Sequence, residues 1–238
     1  RQQGRRDAFG DEVEAVEAYI ASGGRALILR EPRTSTGLEP MLSRYGLKAN
    51  ADFIVDVNPL ARMLGGSPTM PVVYEYGTHT ITKDMQGVAT VFPMVGSIET
   101  ITPKETGVTT EVLAKSSDQS WGEMGELADR VSHDPATEEV GPLDIAAVSV
   151  RKLDAAEPAS PDATADAPAG AATAKEARIV LFGDADFASN ATLMTADNRN
   201  LFLNSMAWLN ERSDLISIRP KDRTAQPVVL NALQARAL

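Results

Sequence analysis

Residues 178–190, RIVLFGDADFASN, decide how this chain is read. Ile179, Val180, Leu181 and Phe182 form an unbroken apolar run that stops at Gly183. Asp184, Asp186, Ser189 and Asn190 follow at once. A continuous apolar run of this length predicts a strand buried on both faces. A polar loop at the carboxyl end of such a strand is where ligands sit in open α/β sheets.

Downstream, residues 200–212 (NLFLNSMAWLNER) read as a helix. Leu201, Leu203, Met206, Ala207, Trp208 and Leu209 form its apolar side, with Asn198 or Asn200 as the cap. Residues 215–219 (LISIR) read as a last strand, and 228–238 as helical. Upstream, residues 155–176 (AAEPASPDATADAPAGAATAKE) contain no large apolar side chain. Such a segment buries too little surface to offset chain entropy, and we expect a disordered loop.

Farther out, residues 11–22 (DEVEAVEAYIAS) have helical spacing, an acidic first turn and a Gly23-Gly24 stop. Residues 25–30 (RALILR) then read as a short buried strand. Helix, Gly-Gly, strand is the repeating half of an α/β sheet. Residues 37–45 predict a second helix, and 53–57 (FIVDV) a strand. From 71 to 153 the texture is β-rich, with strand candidates at 72–76, 89–101, 108–115 and 143–153. Polar loops separate them, one being 116–125 around Trp121. The expectation is a single α/β domain over 1–238, with a mostly parallel sheet flanked by helices and a β-rich middle segment.

The 238 residues carry a net charge of −10, and only 5% are aromatic. That balance argues against a surface for nucleic-acid phosphates or a stacking platform for bases. Cysteine is absent, which removes thiol nucleophiles, disulfides and thiolate metal sites and fits an extracytoplasmic setting. No apolar run reaches the roughly 20 residues of a membrane helix. The chain begins at Arg1 and reads as an excised fragment.

The phrases RIVLFGDADFASNATL and NRNLFLNSMAWLNERSDLISIRPKDR resemble the C-terminal part of the GldG-type family. These are auxiliary components of ABC transport systems, first associated with gliding motility. DEVEAVEAYIASGGRALIL is similar to the family's helix–Gly-Gly–strand segment, and PVVYEYGTHTITKDMQGVATVFPMVGSIE to the region that follows it. The resemblance implies a fold related to class I glutamine amidotransferase-like and flavodoxin-like domains. It also implies a periplasmic domain of an inner-membrane protein, with transporter permease and ATPase subunits or another auxiliary protein as partners. Amidotransferase chemistry needs a cysteine, and this chain has none.

Asp184 and Asp186, two apart on an extended segment, would share a side and could hold a divalent cation, a sugar or an amine. Equally, Asp184 could cap a turn while Asp186 holds loop N–H groups. Ser189 and Asn190 could complete a polar pocket, although no G-x-S-x-G accompanies Ser189. Glu31, Arg33, Thr34 and Ser35 follow the first strand and could share its crevice, with Arg33 able to grip a carboxylate or phosphate. His79 and His133 sit in polar stretches without metal-ligand spacing, so no metal is expected. No phosphate-binding glycine loop occurs, and no cofactor is expected. Trp121, in its polar loop, is the candidate partner contact. The function these residues suggest is a non-enzymatic auxiliary domain that binds a substrate or partner subunit. The alternatives are a metal-dependent or hydrolytic enzyme using Asp184 and Asp186, and an envelope assembly scaffold.

Overall fold

Two helix–strand units bracket the chain in the computed structural model, which describes residues 10–63, 67–127, 132–153 and 175–211. The first is α1 (Gly10–Ala21) and β1 (Arg25–Leu29). Then come α2 (Glu39–Arg44), β2 (Leu47–Ala49), β3 (Phe53–Asp56) and α3 (Pro59–Met63). The middle consists of β4 (Val72–Val73), β5 (Glu75–Tyr76), β6 (Thr90–Val91), β7 (Ile98–Thr100), β8 (Val108–Lys115), β9 (Ser120–Glu123) and β10 (Asp144–Lys152). The second unit is β11 (Glu176–Phe182), a 3₁₀ turn (Asp186–Ala188) and α4 (Asn198–Leu209).

The main sheet runs β1-β11-β10-β7-β2, with β8 also paired to β10 and β5 to β8. Strands β1 and β11 are parallel, in register from Arg25 opposite Arg178 to Leu29 opposite Phe182. Every other pairing among the described residues is antiparallel, including the ribbons β3–β9 and β4–β6. The sheet is mixed and curls into a half-barrel with few helices.

This overturns the expected mostly parallel, flavodoxin-like or amidotransferase-like sheet flanked by helices. The two terminal units do look α/β, and they do lie side by side. The long strands β8 and β10 fill the rest of the sheet in antiparallel fashion. The misreading has a physical cause. A continuous apolar run reports burial on both faces and carries no information about the direction of the neighbouring strand.

Burial on both faces is what β11 shows. Ala177, Ile179 and Leu181 enter one core with Ile20, Met41, Leu42 and Tyr45 from α1, α2 and the turn after it. Val180 and Phe182 enter the other, with Phe92, Phe187, Leu201 and Trp208. Phe182, Phe187 and Phe92 stack there, with the Phe182 and Phe187 rings 4.6 Å apart. On α4, Leu201, Ala207, Trp208 and Leu209 are buried, whereas Met206 is exposed and flanks the packed face. Strand β9 occupies what the sequence presented as polar loop, and Trp121 lies on it. The expectations for 155–174 of the low-complexity segment, for 215–219 and for 228–238 fall outside the described residues.

Candidate functional site

The polar loop begins where three stretches of backbone meet. The Gly183 N–H donates to the Ile145 carbonyl at 3.0 Å, and its own carbonyl accepts from the Gly96 N–H at 2.8 Å. A Cβ at Gly183 would run into the Gly96 carbonyl, so this close approach requires glycine. Asp184 then turns inward and is almost fully buried. Its carboxylate accepts from the Asp186 N–H at 2.6 Å and the Phe187 N–H at 3.0 Å, which caps the 3₁₀ turn. That turn seats Phe187 in the core. Gly183, Asp184 and Phe187 of the phrase GDADF therefore each have a structural task.

Asp186 is exposed, and the extended geometry that would put both aspartates on one side is replaced by a turn. The turn still brings the carboxylates together. Glu31, at the carboxyl end of the adjacent parallel strand β1, joins them, and ligand oxygens of Glu31, Asp184 and Asp186 lie within 4.8 Å of one another. Burial pushes the Asp184 carboxyl up to about 7, and the charges of Asp186 and Glu31 push the same way. The two backbone N–H groups pull against that shift. Three carboxylates form an anionic oxygen cluster suited to a cationic group or a hard cation.

The other candidates are placed differently. Ser189 Oγ lies 3.0 Å from Thr192 Oγ1, and the Ser189 N–H donates to the Asp186 carbonyl. Asn190 is exposed beside it. Arg33 does not join the acidic cluster. It has a φ of 56° and sends its guanidinium across the Phe53 ring, 4.5 Å from the centroid. There it donates to the carbonyls of Ala51, Glu123 and Gly125. Arg30 is pinned similarly, to the carbonyls of Asn50 and Thr34 at 2.9 Å. An open cleft of about 780 Å³ lies between these arginines, Thr34, Ser35, Glu39 and Met124. The donors that would grip an anion there are largely committed to backbone oxygens.

Trp121 is buried on β9, paired opposite Val55 of β3, and donates through its indole N–H to Glu123 at 3.3 Å. Trp121 therefore lies inside the β3–β9 ribbon rather than in a loop. His79 packs edge-on to Trp208, with ring centroids 4.9 Å apart, and burial lowers its pKa. Its Nδ1 accepts from the Ile81 N–H at 3.3 Å, and the Glu111 charge opposes the effect of burial.

Asn198 plays a role that the sequence did not disclose. The spacing offers Asn198 or Asn200 as the helix cap, yet the N-cap is Asp197 and makes no side-chain cap hydrogen bond. Asn198 is instead fully buried. Its Oδ1 accepts from the Val91 N–H at 2.8 Å, and its Nδ2 donates to the carbonyls of Val91, Phe187 and Thr192. This amide imitates a strand partner for β6 and ties it to the Asp184 loop. Asp52 works comparably, accepting from the Ser97 N–H at 2.8 Å and the Ser97 hydroxyl at 2.6 Å. Nothing in the neighbouring sequence marks either residue: Asn198 stands between Asp197 and Arg199, and Asp52 follows Asn50 and Ala51.

A family described as "ABC-type uncharacterized transport system" matches residues 10–210. No curated protein matches the chain. Among solved structures, a chain titled "mmIFT52 N-terminal domain" is similar, with a TM-score of 0.54 and 14% identity. The alignment covers 85% of this chain and 72% of that one. At this identity the likeness concerns the fold alone. No helix among the described residues is long and apolar enough to cross a membrane.

Proposed function

The chain belongs to the ABC-type uncharacterized transport system family, and on that premise we propose that it is a non-enzymatic, extracytoplasmic domain of the GldG type. It uses the loops after β1 and β11 to hold a cationic group of a substrate or partner subunit. The observation that carries the binding site is the convergence of Glu31, Asp184 and Asp186 at the carboxyl ends of the two parallel strands. Asp184 is the internal prop of this site, because its oxygens already serve two backbone N–H groups. Asp186 and Glu31 carry the accessible charge, with Asn190 at the rim. The GldG-type assignment rests on the phrases at 178–223, including GDADF and IRPKDR.

Charge reversal tests the site. Asp186→Lys together with Glu31→Lys should reduce co-purification of the permease and ATPase subunits by roughly tenfold or more, as expected where like charges replace complementary ones. Asp118→Lys in another loop is the control. Recovery of the complex at the wild-type level by the double variant would remove the acidic loops from the partner surface. Location is tested separately. In this cysteine-free chain, Met194→Cys places a single thiol at a residue 73% exposed. A membrane-impermeant maleimide should label it in intact spheroplasts; labelling only after lysis would place the domain in the cytoplasm.

A further inference from the structure

The open cleft of about 780 Å³ is built from the loop after β1, the first turn of α2 and the residue that follows β9. Its charge runs against that of the chain, which carries −10 overall. Two guanidinium groups, Arg30 and Arg33, line it against one carboxylate, Glu39. The Arg33 donors rest on neutral carbonyls, of Ala51, Glu123 and Gly125, and these leave its positive charge in place. Pro40, Ala51 and Met124 add apolar lining, and Met124 is half-exposed. A concave surface that is partly apolar and locally positive suits a small anion with an apolar body.

Arg30 is buried yet incompletely paired. Its side chain is only 8% exposed. Nη1 donates to the Asn50 carbonyl and Nη2 to the Thr34 carbonyl. Nε is shut off from water and has no hydrogen-bond partner among the described residues. Glu39 Oε1 stands 3.9 Å from it, too far for a hydrogen bond. That oxygen is already held by the Thr36 N–H at 2.9 Å and the Thr36 hydroxyl at 3.3 Å. A buried cation with an unmet donor is costly. Glu39 is a badly seated counter-ion, and its partly exposed side chain has room to swing aside.

We propose that this cleft binds a small carboxylate with an apolar body. The ligand carboxylate displaces Glu39 from Arg30 and accepts from Nε. The exposed Ser35 hydroxyl stands at the rim as a donor for the second oxygen, and the apolar body lies along Pro40 and Met124. A monoanion fits better than a phosphate dianion, because Glu39 stays close and the acidic chain repels a second charge. Glu31, Asp184 and Asp186 are not among the lining residues, and the inference does not depend on the reading of that cluster.

NMR titration of the ¹⁵N-labelled 238-residue chain with sodium isovalerate, at constant ionic strength, tests it. The Arg30 Nε–H resonance should shift and saturate. The Thr36 amide should move with it, because the displaced Glu39 oxygen is its acceptor. Acetate, which lacks the apolar body, should need about tenfold more to saturate. Uncharged isovaleramide should produce no saturable shift, and phosphate should bind more weakly than isovalerate. Glu39→Gln keeps an acceptor for Thr36 but removes the competing charge, and should tighten isovalerate binding about threefold. The wild-type titrations stand without any substitution. An Arg30 Nε–H that does not move, saturation by isovaleramide, tighter binding of phosphate than of isovalerate, or an affinity unchanged or weakened in Glu39→Gln each overturns the proposal.

Discussion

Asn198→Ala is expected to destabilise the protein by about 3 kcal/mol or more, the scale for several buried polar groups left without partners. The Val91 N–H and carbonyl lose their cross-link, and the Phe187 and Thr192 carbonyls lose a donor. Water has little access, since Asn198 is fully buried. The loss should appear as a lowered urea midpoint with an unchanged m-value. Asn198→Asp should be no better at neutral pH, because it keeps the acceptor, loses the donors and buries a charge. Asn190→Ala, on the exposed side of the same loop, should change stability by under about 0.5 kcal/mol. A deficit below about 1 kcal/mol for Asn198→Ala would show that the amide is not what ties β6 to the Asp184 loop.

Asp184 supplies the second large effect, and its sign follows from linkage. Burial raises its carboxyl from the usual 3.8 to about 7. Between those values the native protein retains a proton that the unfolded chain has released. Stability therefore falls as pH rises through this window, and the cost is complete above about 7. A shift of about three units corresponds to at most ~4 kcal/mol. Asp184→Asn cannot ionise and escapes that slope, although its amide can accept only one of the two N–H bonds well. The variant should be less stable than the wild type near pH 4 and gain on it by up to about 4 kcal/mol by pH 7.5. Glu39, Glu99 and Glu123 have lowered values and oppose the trend, but they are common to both proteins and cancel in the difference. Parallel stability-versus-pH curves for the two proteins would falsify the buried, proton-retaining Asp184.

Much of the local structure was legible because it depends on neighbouring residues. The predicted strand at 108–115 coincides with β8, and those at 25–30, 53–57 and 178–182 lie within a residue or two of β1, β3 and β11. The helix after Asp186 also formed where its apolar spacing put it, shifted by two residues at its start. Strand β9 escaped notice because Ser120, Gly122 and Glu123 read as loop residues. They are buried only because β3 and Val140 lie against them. The acidic loop was visible as a phrase. Its geometry was not, since Asp184 and Asp186 come together with Glu31 through a turn and a strand pairing about 150 residues apart in the chain.

The sequence by itself determined where apolar runs and helical spacings lie, that no thiol chemistry is available, and which family phrase the chain carries. Those properties are written in composition and short-range order. The tertiary structure alone decided that the sheet is mixed, that Arg33 serves backbone carbonyls, that Trp121 is buried and that Asn198 is a cross-link. Strand direction and side-chain partners depend on which distant segments meet. The physical forces that choose them, burial on both faces and the satisfaction of buried N–H and C=O groups, act only once the chain has closed on itself.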